Sequence, residues 1–122
     1  MMQERQQAVM DRGGYLMCRC DRCDVEKGTE AHHLIPKGRV MTSTEEAKCL
    51  INDKRLLTML CRDCHTGSEN AHSPHVTEQL FRKQIQRYGY ASVQKAFQNV
   101  LAATRMNNIG VEFPEYEGGM RA

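Results

Sequence analysis

The sequence predicts a small α+β domain: a short helix, a β-hairpin pinned by paired cysteines, then two further helices. Three observations predict it. Cysteines recur as C-x-x-C at Cys20 and Cys23 and again at Cys61 and Cys64. Two short strand-like runs, "TEAHHLI" and "RLLTML", lie between the pairs. The last third of the chain carries apolar residues at helical spacing. A chain of 122 residues suits one domain. At that size the apolar core is thin, and a metal staple would help it.

The elements follow in order. Residues 1–12 are mostly helix formers and stop at Gly13 and Gly14. "YLMCRCDRCDVEKG" is a Cys-rich loop closing at Gly28. "TEAHHLI" is the first strand, ended by Pro36 and Gly38. "TSTEEAKCL" has an N-cap signature, Ser43 or Thr44 followed by Glu45 and Glu46, and reads as a helical turn within a loop. "RLLTML" is the second strand and runs straight into "CRDCH". A helix then starts near Pro74 with a stripe of Val76, Leu80, Phe81, Ile85 and Tyr88, and Gly89 ends it. A last helix carries Val93, Ala96, Phe97, Val100 and Leu101. Both stripes read as core before interface. The expected layout is one domain over residues 1–122, with a cysteine-stapled core at 15–72, a helical part at 75–106 and an irregular tail at 107–122.

Composition narrows the function classes. Apolar residues make up 40% and the mean hydropathy is −0.62. The longest plain apolar run, "LLTML", is far too short for a membrane span. The N-terminus has no apolar stretch of the secretory kind. The expectation is a cytoplasmic protein without a membrane partner. Net charge is only +2. Its distribution is more telling: Arg12, Arg19, Arg22, Lys37 and Arg39 cluster near the cysteines and histidines, and Arg82, Lys83 and Arg87 cluster later. Each of these taken singly reads as a solvated surface charge.

In a reducing compartment paired cysteines bind metal more often than they form disulfides. Two C-x-x-C knuckles supply four thiolates, a complete tetrahedral shell for a structural Zn2+ ion. The gap between them costs little, because loop-closure entropy grows slowly with length. "CRCDRC" offers Cys18 as well, but Cys20 has the regular spacing to Cys23. Cys49 reads as a small buried apolar residue. Redox thiols or a disulfide are the weaker alternative.

Such a zinc site uses no histidine. It leaves His32, His33 and His65 to be explained, and His65 directly follows Cys64. Adjacent strand residues point to opposite faces, so His32 and His33 face different partners.

The combination C-x-x-C, "AHHLIPKG", "LLTMLC-x-x-CH" resembles the HNH nucleases, the ββα-metal or His-Me finger fold, in their zinc-ribbon form. It is most similar to the small phage and bacterial members, over about residues 18–70. The resemblance implies a DNA endonuclease that leaves 5′-phosphate and 3′-hydroxyl ends, in a bacterial or phage-infected cell. It implies that His32 and His65 hold a catalytic divalent ion, Mg2+ or Mn2+, and that His33 is the general base. DNA is the implied partner, with phage packaging or recombination proteins as further ones. Lys37, Arg39, Arg62 and the Arg82–Lys83–Arg87 face are candidates for phosphate contacts, which give affinity without sequence choice.

The chain departs from the family pattern in two places. The family's middle Asn stands at the head of the second strand, where this chain has Arg55 or Leu56; Asn52, slightly earlier, is the candidate replacement. The further histidine four residues after His65 is Glu69 here. Glu69, His72 and His75 are each weighed as an extra ligand and read better as a polar loop. These departures keep open a second reading, a zinc-stapled DNA- or partner-binding adaptor that does not cut.

Overall fold

A computed structural model of the chain describes residues 3–67 and 71–122. The elements are α1 (Glu4–Asp11), β1 (Glu30–His33), α2 (Glu45–Leu50), β2 (Leu57–Leu60), α3 (Pro74–Tyr88) and α4 (Tyr90–Thr104). Short 3-10 turns at Lys37–Arg39 and Lys54–Leu56 punctuate the segment between the strands. The described residues are thus α+β, with one antiparallel two-stranded sheet among helices. No helix among the described residues is long and apolar enough to cross a membrane.

The strands are shorter than the apolar runs that predict them. β1 and β2 pair as Glu30 with Leu60, Ala31 with Met59, His32 with Thr58 and His33 with Leu57. The pleat sends Glu30 and His32 to one face and Ala31 and His33 to the other. The head of "RLLTML" instead forms the 3-10 turn. There the Asp53 side chain accepts from the Arg55 N–H, and its carboxylate pairs with the Arg55 guanidinium at 2.8 Å.

The helices start where the caps predict. Thr44, rather than Ser43, caps α2 by accepting from the Ala47 N–H at 3.1 Å. Ser73 caps α3 and Pro74 occupies its first turn. Gly89 joins α3 to α4 at φ 90°, a conformation that side chains resist. Cys49 is exposed, contrary to the expectation of burial. It lies two residues beyond Ala47, the buried residue of α2, and so about 200° around the helix from it.

One apolar core joins Leu34, Ile35, Ile51, Leu56 and Leu60 of the hairpin region to Leu80, Phe81, Ile85, Val93, Phe97 and Val100 of α3 and α4. The predicted stripes are therefore buried against the hairpin. The tail is irregular, as expected, yet it is packed. The Phe113 ring lies 5.2 Å from Phe81, 5.4 Å from Phe97 and 5.2 Å from Tyr90. Phe113→Ala is expected to cost about 3 kcal/mol, the low end for a phenylalanine truncation because the ring is half-buried. A urea unfolding midpoint that does not move would show that the tail adds nothing to the core.

Beneath the hairpin lies a charged network. The Asp21 carboxylate meets Arg12 at 2.6 Å and Arg87 at 3.0 Å, and it also accepts the Met59 N–H at 3.0 Å. Arg12 and Arg87, grouped with surface charges in the sequence, are instead committed to this interior carboxylate. They join α1, the first knuckle, β2 and α3.

Candidate metal centre and active site

Each knuckle is built by local backbone geometry. In the first, the Cys20 N–H donates to the Glu26 carbonyl at 2.8 Å, the Asp24 N–H donates to the Cys20 carbonyl at 2.9 Å, and the Cys23 N–H points at Cys20 Sγ, 3.5 Å away. Asp24 takes the left-handed conformation, φ 59°, which short polar side chains tolerate. Gly28 closes the loop where a Cβ would come within 2.9 Å of the Arg19 carbonyl and of Met59 Cβ. In the second knuckle the His65 N–H donates to the Cys61 carbonyl at 3.0 Å.

The two knuckles bring together Cys20, Cys23, Cys61 and Cys64, whose sulfurs all lie within 4.8 Å of one another. A tetrahedral Zn2+ with Zn–S near 2.3 Å would hold its sulfurs about 3.8 Å apart. Cys23 and Cys61 Sγ stand 4.0 Å apart. The four cysteines therefore fit a metal ion such as zinc. The donor chemistry agrees. Backbone N–H groups of Glu26 and Val25 pull the Cys23 thiol down to about 7. Burial and the neighbouring thiols push Cys64 up, and a divalent cation among the sulfurs would reverse that penalty. Cys18 stands apart, packed with Val9 and Met59, its thiol 3.4 Å from the Gly28 carbonyl.

The two neighbouring histidines diverge. His32 is buried, with 1% of its surface exposed, and neither ring nitrogen has a hydrogen-bond partner among the described residues. Its ring faces His72 at 4.5 Å and meets His65 edge-on at 5.2 Å. Burial, reinforced by His72 and His65, pushes its pKa down to about 3, so at neutral pH it is an uncharged lone-pair donor. Leaving a buried polar atom unpaired costs about 1–3 kcal/mol. A histidine kept only for packing would pair at least one nitrogen.

His33 lies on the other face, where its Nε2 is 2.7 Å from Asn52 Oδ1. Asn52 Nδ2 donates to the Lys48 carbonyl at 3.4 Å, which turns the amide oxygen toward the histidine. An amide oxygen only accepts, so Nε2 carries a proton, and in the neutral ring Nδ1 then keeps the lone pair. Asn52 thus reaches His33 from the end of α2, although it stands early in the sequence. A shallow cleft of about 970 Å3 includes His33, Asn52, Glu30 and His65 in its lining, with the start of α1 as one wall.

His65 carries a partner that the sequence reading missed. Its Nδ1 lies 2.8 Å from Glu30 Oε1. The available signal was the alternation that puts Glu30 on the same strand face as His32. His72 also joins the cluster, through its ring contact with His32. His75 lies on α3 with Nε2 3.3 Å from Gln79 Nε2, and Glu69 falls outside the described residues. The imidazoles are more loosely gathered than the sulfurs. Among the described residues they form no group of three donors as close as the cysteines.

The basic candidates divide. Lys37, Arg39 and Arg62 are exposed, with the Arg39 guanidinium packed so close to Gly110 that a Cβ there would come within 2.5 Å of it. Arg82 pairs with Glu78 at 3.1 Å and Glu117 at 2.9 Å, and Arg87 pairs with Asp21. The Arg82–Lys83–Arg87 face is therefore largely neutralised by its own protein. Protein-family models, curated proteins and solved structures give no match to this chain.

Proposed function

We propose that the protein is an HNH-type, divalent-metal-dependent endonuclease hydrolysing DNA phosphodiester bonds. One observation carries the reading: a fully buried imidazole, His32, with both nitrogens unpartnered among the described residues, lies against His65 while its neighbour His33 leaves the strand on the other face and meets Asn52. That division is what a ligand beside a base requires.

Hydrolysis of a phosphodiester needs a deprotonated water, neutralised phosphate charge and a stabilised leaving oxygen. A divalent ion such as Mg2+ or Mn2+ held by His32 and His65 would supply the last two. His33 takes the proton of the attacking water at Nδ1, and an imidazole is well matched to that task near neutral pH. Asn52 accepts from Nε2–H, so it selects the tautomer and holds the ring's direction. It does so by a side-chain bond to the base itself, where the family's Asn acts on the surrounding loop. The cysteine cluster has four protein ligands and no open position, so its role is structural. It places His65 one residue beyond Cys64. Lys37, Arg39 and Arg62 remain available to phosphates; Arg82 and Arg87 are weaker candidates, being paired within the protein.

The test is nicking of supercoiled plasmid with Mg2+ or Mn2+. His33→Ala is expected to slow cleavage by about 10²–10⁴-fold, the usual contribution of a general base. Wild-type rates in that variant would remove His33 from the role. DNA binding without cleavage under any divalent ion would replace the nuclease by a zinc-stapled adaptor.

A further inference from the structure

We infer that Glu30 is a positioning residue for His65, fixing the tautomer and ring direction with which His65 meets the divalent ion. The inference rests on the nuclease reading above and assigns a role to a residue outside the resemblance.

Three observations converge. Glu30 and His32 lie two residues apart on one face of β1, so one short strand carries both a ligand candidate and the carboxylate. His65 comes from the other side of the hairpin, one residue past the second knuckle. Its Nδ1 is 2.8 Å from Glu30 Oε1, a contact spanning 35 positions of sequence. An ionised carboxylate can only accept, so Nδ1–H donates, and in the neutral ring the lone pair is then left on Nε2. A free neutral imidazole would share its proton between the two nitrogens and turn about its own axis.

The contact makes poor sense as a stability device. The Glu30 side chain is 36% exposed and that of His65 24%, and ion pairs at such exposure add little to folding. It makes good sense as orientation. Histidines that bind metals commonly donate their second N–H to a carboxylate, which fixes the ring and raises its basicity. Glu30 also lines the cleft that holds His33, so no large movement is needed to serve the same site.

The experiment measures Mn2+ binding to the zinc-loaded full chain by titration calorimetry, with imidazole 15N spectra of the same samples. Wild type is expected to bind Mn2+ and to show His65 as the Nδ1–H tautomer. Glu30→Ala is expected to bind about 10–100-fold more weakly and to lose that tautomer preference. Glu30→Gln keeps an accepting oxygen and is expected to recover most of both. Glu30→Ala binding Mn2+ as tightly as wild type overturns the inference and leaves the nuclease reading standing. Glu30→Gln as weak as Glu30→Ala also overturns it, because the carboxylate would then be a ligand itself. Wild type that binds no Mn2+ removes the ion site, and the inference with it.

Discussion

Chelating the metal from the four-cysteine cluster, or replacing Cys61 with Ser, is expected to unfold the hairpin rather than loosen it. Apparent binding free energies of structural zinc in small peptides run to about 10–16 kcal/mol. Whole domains of this size are stable by only about 5–15 kcal/mol. An ion bound by the four cysteines would therefore contribute about as much as the whole net stability of such a domain. Cys20 and Cys61 are buried in the main core, so their sulfurs replace apolar side chains that the core lacks. Without a cation the same core encloses a knot of crowded thiols. The first knuckle is tied to β2 by the Asp21 N–H to the Met59 carbonyl at 2.8 Å and the Thr29 N–H to Leu60 at 3.1 Å. Loss of the knuckle would thus release the strand edge as well. Metal release followed with a chromogenic chelator should coincide with loss of ellipticity and of plasmid nicking. Native protein that carries no zinc by mass spectrometry, yet unfolds cooperatively at an ordinary temperature, would refute a structural ion.

What the sequence revealed and concealed follows from distance along the chain. The knuckles were readable because three-residue spacing is a local property, and it also separated Cys20 from Cys18. The divergence of His32 and His33 was readable because strand alternation is local. The pairs around the candidate site are not local. His33 and Asn52 are 19 positions apart, and Glu30 and His65 are 35 apart. Only the hairpin's register and the course of α2 bring them together. Charge was the most misleading signal. Arg12 and Arg87 look like any exposed arginine until Asp21 is found between them. Phe113 carried no periodicity at all, because an irregular segment packs by individual contacts.

Asp21→Ala is expected to destabilise the protein by about 3–5 kcal/mol, the range for breaking a buried ion pair by removing one partner. The side chains of Arg12 and Asp21 are only 3% and 4% exposed. Removing the carboxylate leaves the Arg12 guanidinium buried with neutral partners alone: the Ala8 carbonyl at 2.8 Å, Gln84 Oε1 at 3.0 Å and the Leu57 carbonyl at 3.4 Å. It also orphans the Met59 N–H of β2, which Asp21 accepts. Arg87→Ala should cost less, because the Arg87 side chain is 23% exposed and Arg12 still neutralises the carboxylate. Replacing Asp21 and Arg12 together by apolar residues should cost less than the sum of the two single changes, since no uncompensated charge remains. Chemical denaturation of the four variants measures this order directly. Additive single and double changes would mean that the two side chains do not interact in the folded protein. The site depends on the same result. Asp21 directly follows a cysteine of the four-cysteine cluster and holds the strand that pairs with His32. A protein weakened at Asp21 should therefore lose its metal to a chelator faster than wild type, before any histidine has been touched.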